Sequence, residues 1–190
     1  MISGQPDHGN SDVPVADPAP PPPRGSRMSG SRHKARELTL QALYQSEISG
    51  DGIHRAVDQL CEENASGHAD LLYFKTVAAG TWDRRAELDG WIAKAAINWS
   101  LQRISTIDLS ILRQGVYELL AEPDLPIRVV INEAIELSKR YGGDGSRLFV
   151  NGVMDRLASQ IRPSGVDRGR QTLPPGCEGA DPDQPVVTTP

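Results

Sequence analysis

The placement of proline constrains this 190-residue chain more than any other feature. Seven of its 15 prolines fall in residues 1–31 and six in residues 163–190, so only Pro123 and Pro126 interrupt the 131 residues between. The ends also carry few large apolar groups to offset chain entropy, which predicts disorder, with polyproline character at Pro20 to Pro23. The expected organisation is a disordered Pro-rich, basic tail (1–31), a folded helical domain (32–162) and a disordered Pro/Gly-rich tail (163–190). The middle is long enough to bury most of its unfolded surface without a disulfide or a structural metal.

Composition narrows the function classes. Cys61 and Cys177 stand 116 positions apart, with the second in a proline-rich end, so neither a disulfide framework nor zinc spacing arises. No apolar run approaches the ~20 residues of a membrane span, and the first residues lack the basic start and apolar stretch of a signal peptide. A reducing, cytoplasmic setting is expected. The net charge of −5 is unevenly spread: from Arg24 on, Arg24, Arg27, Arg32, His33, Lys34 and Arg36 follow with no acid until Glu37. Screening over about 8–10 Å lets such a local arm hold phosphates on an acidic body, although a solvated charged run leading into a helix is the commoner fate of basic segments.

Apolar periodicity predicts helices over about His33–Ser49, Ile53–Glu63, Ala69–Ala79, Trp82–Ile97, Thr106–Ala121, Pro126–Tyr141 and Ser146–Ile161. Ser105 is positioned to cap the fifth, with Asp108 as capping-box partner. Pro126 suits the first position of the sixth. Asn151-Gly152 is a hairpin signal by local rule, but Leu148, Phe149, Val153, Leu157 and Ile161 carry a helical period through it, and a glycine there would allow close helix contact. Basic residues at the start of the first helix oppose its dipole, which points to ligand binding rather than helix stabilisation.

The chemistry of common enzymes is missing. There is no HExxH, no GxxxxGK[ST], no GxGxxG after a strand and no nucleophile elbow. Gly142-Gly143-Asp144-Gly145 lacks the lysine and the strand of a phosphate loop. His8, His33, His54 and His68 show no metal or relay spacing. No catalytic residue, metal or cofactor is expected.

Six stretches carry a family resemblance: RHKAREL..QALYQSE from Arg32, LYF from Leu72, LDGWI from Leu88, DLSILRQGVYEL from Asp108, LPIRVVINEAIELSKRYG from Leu125 and FVNGVMDR from Phe149. Together they resemble, in the same order, the NusB transcription antitermination family over about residues 32–162. The resemblance implies an all-α fold of about seven helices in two small packed bundles. It also implies a non-enzymatic regulator that binds the boxA element of ribosomal RNA transcripts together with NusE, a small-subunit ribosomal protein, within an elongation complex of RNA polymerase and other Nus factors.

By motif position, the family's RNA-binding patch falls on Arg32, His33, Lys34 and Arg36, with His33 standing where some members carry arginine. Tyr44 and Phe149 resemble the aromatics near that surface. Each is read either as a stacking platform for single-stranded RNA or as core, and Phe149, in an apolar helix, suits the core better. Tyr44 and Asp108 resemble positions facing NusE. Asp144 stands beside Gly145, where members can carry an acid. Two alternatives remain: a free-standing NusB-like RNA-targeting domain, and a homodimer that buries its own basic face and is competed by RNA.

Overall fold

Seven α-helices and one short 3-10 turn, Leu101–Arg103, make up the secondary structure of the residues the computed structural model describes, namely Met1, 24–97 and 99–163. The helices are α1 Arg24–Ser49, α2 Ile53–Glu63, α3 Leu71–Asp83, α4 Arg85–Ala95, α5 Thr106–Ala121, α6 Ile127–Tyr141 and α7 Ser146–Ile161. α1, α2 and α3 pack together as one bundle, and α4, α5, α6 and α7 as a second. α5 joins them by also packing on α1 and α3. The expected tails fall mostly outside the described residues, except that α1 begins at Arg24, nine positions before the predicted start at His33. Its beginning is tied down at Ser31, whose carbonyl accepts from the Asp70 amide at 3.1 Å just ahead of α3.

The predicted limits of α2, α5 and α7 match those observed. Ser105 caps α5 by accepting from the Asp108 amide at 3.1 Å. The carboxylate of Asp108 does not complete a capping box, because it accepts instead from Ser146 Oγ at 3.0 Å and ties α5 to the start of α7. Pro126 is the N-cap of α6 rather than its first residue. α3 runs through Gly80 to Asp83, past the predicted end at Ala79. Gly80 serves packing there: a Cβ would lie 2.2 Å from the Tyr117 hydroxyl oxygen, so only glycine lets α3 approach α5 this closely. Gly152 sits inside α7 as the periodicity required, but it faces open space and makes no close helix contact.

α5 is enclosed on nearly every side, with each residue from Ser110 to Leu119 buried. Apolar residues of that run, including Ile111, Leu112, Val116 and Leu119, supply the centre of the core. The same run contains Arg113 and Glu118, and a buried charge is tolerable only when paired and hydrogen-bonded. Glu47 of α1 and Asp89 of α4 take the first, while Arg36 of α1 and Tyr73 of α3 take the second. Burial of α5 thus forces polar partners out of three neighbouring helices. Around its C-terminal end one side chain gathers the carbonyls: the Arg162 guanidinium donates to those of Glu118 and Leu119 in α5 and of Glu122 and Leu125 just beyond it.

Candidate nucleic-acid interface

The basic arm is helical, and helical phase sorts its cations into different environments. Arg32 and Arg36, one turn apart, both lie over the Tyr73 ring, at 4.8 and 5.3 Å from its centre. Arg32 is part-exposed and pairs loosely with Asp70 at 3.8 Å. Arg36 has a side chain only 2% exposed and donates Nε to Glu118 Oε1 at 2.7 Å and Nη2 to the Tyr73 hydroxyl at 3.1 Å. Glu133 stands 3.6 Å away. The expectation that Arg36 holds a phosphate is therefore corrected: its charge is already spent on buried partners, and it braces α1 against α3, α5 and α6. Burial opposes its charge, but Glu118, Tyr73 and Glu133 outweigh that effect and raise its pKa above the ordinary arginine value. The Tyr73 phenol is pushed up by burial and by the neighbouring Glu118.

His33 and Lys34 lie nearer the surface. His33 places Nδ1 2.7 Å from Glu133 Oε2 on α6. Lys34 donates to Glu37 Oε2 at 3.0 Å with its side chain 49% exposed. Burial alone would raise the Glu37 carboxyl, yet hydrogen bonds from Lys34 and Tyr141, with the charges of Lys34 and Arg140, hold it below the usual glutamate range. Arg32, His33 and Lys34 thus each have a carboxylate beside them, and the run 24–36 taken alone does not show Asp70 and Glu133, which the fold brings in from a distance.

Tyr44, 40% exposed on the same helix, lines a groove with Glu37, Leu40, Gln41, Ile107 and Tyr141. It therefore lies beside the arm. Phase would have shown this, because Gln41 and Tyr44 follow Lys34 and Glu37 along one face. Phe149 lies elsewhere, in a cleft between the end of α4 and α7, with its ring 5.3 Å from that of Trp99. Arg103 covers the other aromatic of that pair at 5.5 Å, and Arg156 lines the cleft. Asp108 is 8% exposed and bound to Ser146, leaving little of it to meet a partner, although its neighbour Ile107 opens on the Tyr44 groove. Asp144 is exposed in the turn between α6 and α7. Among the described residues, no group of His, Cys, Asp and Glu is placed to hold a metal ion, and no helix is long and apolar enough to cross a membrane.

Comparison with known proteins agrees with this architecture. The NusB family model matches residues 33–159. The transcription antitermination protein NusB of Bacillus subtilis is 38% identical over 133 residues, 70% of this chain and 98% of that protein. That of Sorangium cellulosum is 38% identical over 141 residues, covering 74% and 99%. Among solved structures, T. maritima NusB superposes with a TM-score of 0.62 at 34% identity, covering 68% of this chain and 91% of the other. A chain from the crystal structure of a plectonemic RNA supercoil gives 0.64 at 25% identity, covering 70% and 96%. The all-helical architecture described above is the one over which these solved structures superpose. This chain belongs to the NusB family.

Proposed function

We propose that this chain is a cytoplasmic transcription antitermination factor that binds boxA RNA of ribosomal RNA transcripts together with NusE, without catalysing a reaction. The observation that carries the reading is a match spanning nearly the full length of relatives named as antitermination proteins. The surface supports it, with Arg32, His33 and Lys34 on the helix that also carries the exposed Tyr44, and Lys34 paired to Glu37 at the edge of the Tyr44 groove. Cations grip the phosphate backbone of a single strand while an aromatic face takes a base. The Trp99–Phe149 cleft, rimmed by Arg103 and Arg156, offers a second stacking position. In this reading Tyr44 and Asp144 face NusE, while Arg36 and Asp108 act by holding the helices that carry these groups. Binding of a boxA-like RNA and of a scrambled RNA of equal length, titrated with salt in the presence and absence of purified NusE, tests the proposal. The expected result is a sequence preference that tightens with NusE. Equal, wholly salt-driven binding to both RNAs overturns it.

A further inference from the structure

With Arg36 buried, a second surface cation reaches the carboxylate partner of Lys34 from another helix. Arg140, in the last turn of α6, donates Nη1 to Oε1 of Glu37, while Lys34 Nζ donates to Oε2 of the same carboxylate at 3.0 Å. Two cations on one carboxylate leave one positive charge over, and the Arg140 side chain is 63% exposed. The Arg140 guanidinium lies 5.4 Å from the centre of the Tyr141 ring, and the Tyr141 hydroxyl also donates to Glu37, at 3.1 Å.

We infer that Lys34 and Arg140 together clamp one phosphodiester of single-stranded RNA across Glu37. The inference rests on the RNA-binding reading above and adds to it a grip residue from α6. Glu37 is the organising group. By engaging one donor on each cation it fixes two long side chains that would otherwise lose entropy on binding, and leaves the other N–H groups of Arg140 for a phosphate.

The test is a salt titration of a labelled single-stranded, boxA-like RNA against the full chain and its variants, each checked by thermal unfolding. Arg140→Ala is expected to weaken binding roughly tenfold at moderate salt and to lower the slope of log affinity against log salt by about 0.7, the value of one single-strand phosphate contact. Arg140→Lys should restore the slope. Arg85→Ala, an exposed cation at the start of α4, should change neither quantity. Wild-type affinity and slope in Arg140→Ala, alongside loss of both in Lys34→Ala, overturns the clamp while leaving RNA binding intact. Failure of the wild-type chain to bind any single strand removes the RNA reading and the clamp together.

Discussion

Arg113 on α5 and Asp89 on α4 meet side by side, with Nε 2.7 Å from Oδ1 and Nη2 2.8 Å from Oδ2, while Nη1 reaches Glu47 of α1 at 2.6 Å. The planar guanidinium matches the carboxylate with two parallel bonds, a geometry that lysine cannot reproduce. One side chain thereby holds a helix of each bundle against the shared α5. Arg113→Ala leaves two part-buried carboxylates facing each other without a cation. The expected loss is about 2–3 kcal/mol, below the 3–5 typical of a fully buried pair because Asp89 and Glu47 keep some contact with water. Denaturant unfolding measures it, and Arg113→Lys should recover only part.

Arg36 and Lys34 sit two positions apart in the arm and should separate cleanly on mutation. Arg36→Ala strands the buried Glu118 and is expected to cost about 3–5 kcal/mol or abolish folding. Lys34→Ala should change stability by no more than about 0.5 kcal/mol, yet weaken RNA binding and lower its salt slope. Paired unfolding and binding curves on the two variants decide the matter. A stable Arg36→Ala protein with selectively lost RNA affinity would return Arg36 to the contact surface.

Stability should fall on the acid side partly through Glu37. Its pKa is lowered in the folded chain, so its contribution is complete above the ordinary glutamate value, about 4.3, and is lost as pH falls through the lowered native value. Glu37→Gln should therefore flatten the acid limb of a stability profile measured from neutral pH to below 4. An unchanged limb would show that Lys34, Tyr141 and Arg140 do not favour the charged form.

Gly80→Ala places a methyl group against the Tyr117 hydroxyl and ring, with atoms at 2.2 to 2.4 Å from the new Cβ. The ring of Tyr117 is a stiff obstacle, so α3 and α5 must part or the tyrosine must leave its site. Overpacking of this kind costs about 1–3 kcal/mol. Gly115→Ala is the control: the nearest atom is Met154 Cε at 2.6 Å, the far end of a flexible side chain that can swing away. A thermal melt of both variants should show the larger drop for Gly80→Ala.

The helices were legible where the chain is punctuated. Ser105 before α5, Gly52 before α2 and Gly145 before α7 coincide with the ends of apolar stripes, and periodicity alone found those elements. The α3–α4 junction was misplaced because Gly80 fills a packing role inside α3, which local propensity cannot distinguish from a helix-ending one. In the candidate site, charge sign was legible and charge environment was not. Arg36 shares its helix face with Leu40 and Leu43, both buried, and that phase was the available signal that it points inward. Glu118, Glu133 and Arg140 lie about 80 to 100 positions away in the chain, so only the packing of α5 and α6 on α1 reveals what they do to the arm.

Arg162 closes carbonyls that precede it in the chain by 37 to 44 residues. During synthesis, the C-terminal end of α5 therefore leaves the ribosome long before the group that completes it. Until Arg162 has followed, Glu118 and Glu122 have only the backbone donors Glu122 and Leu125, and water serves the other carbonyls at the half-buried edge of the core. The residue that ends α7 is thus the last piece that the end of α5 receives, and a nascent fragment that stops short of it lacks that clasp.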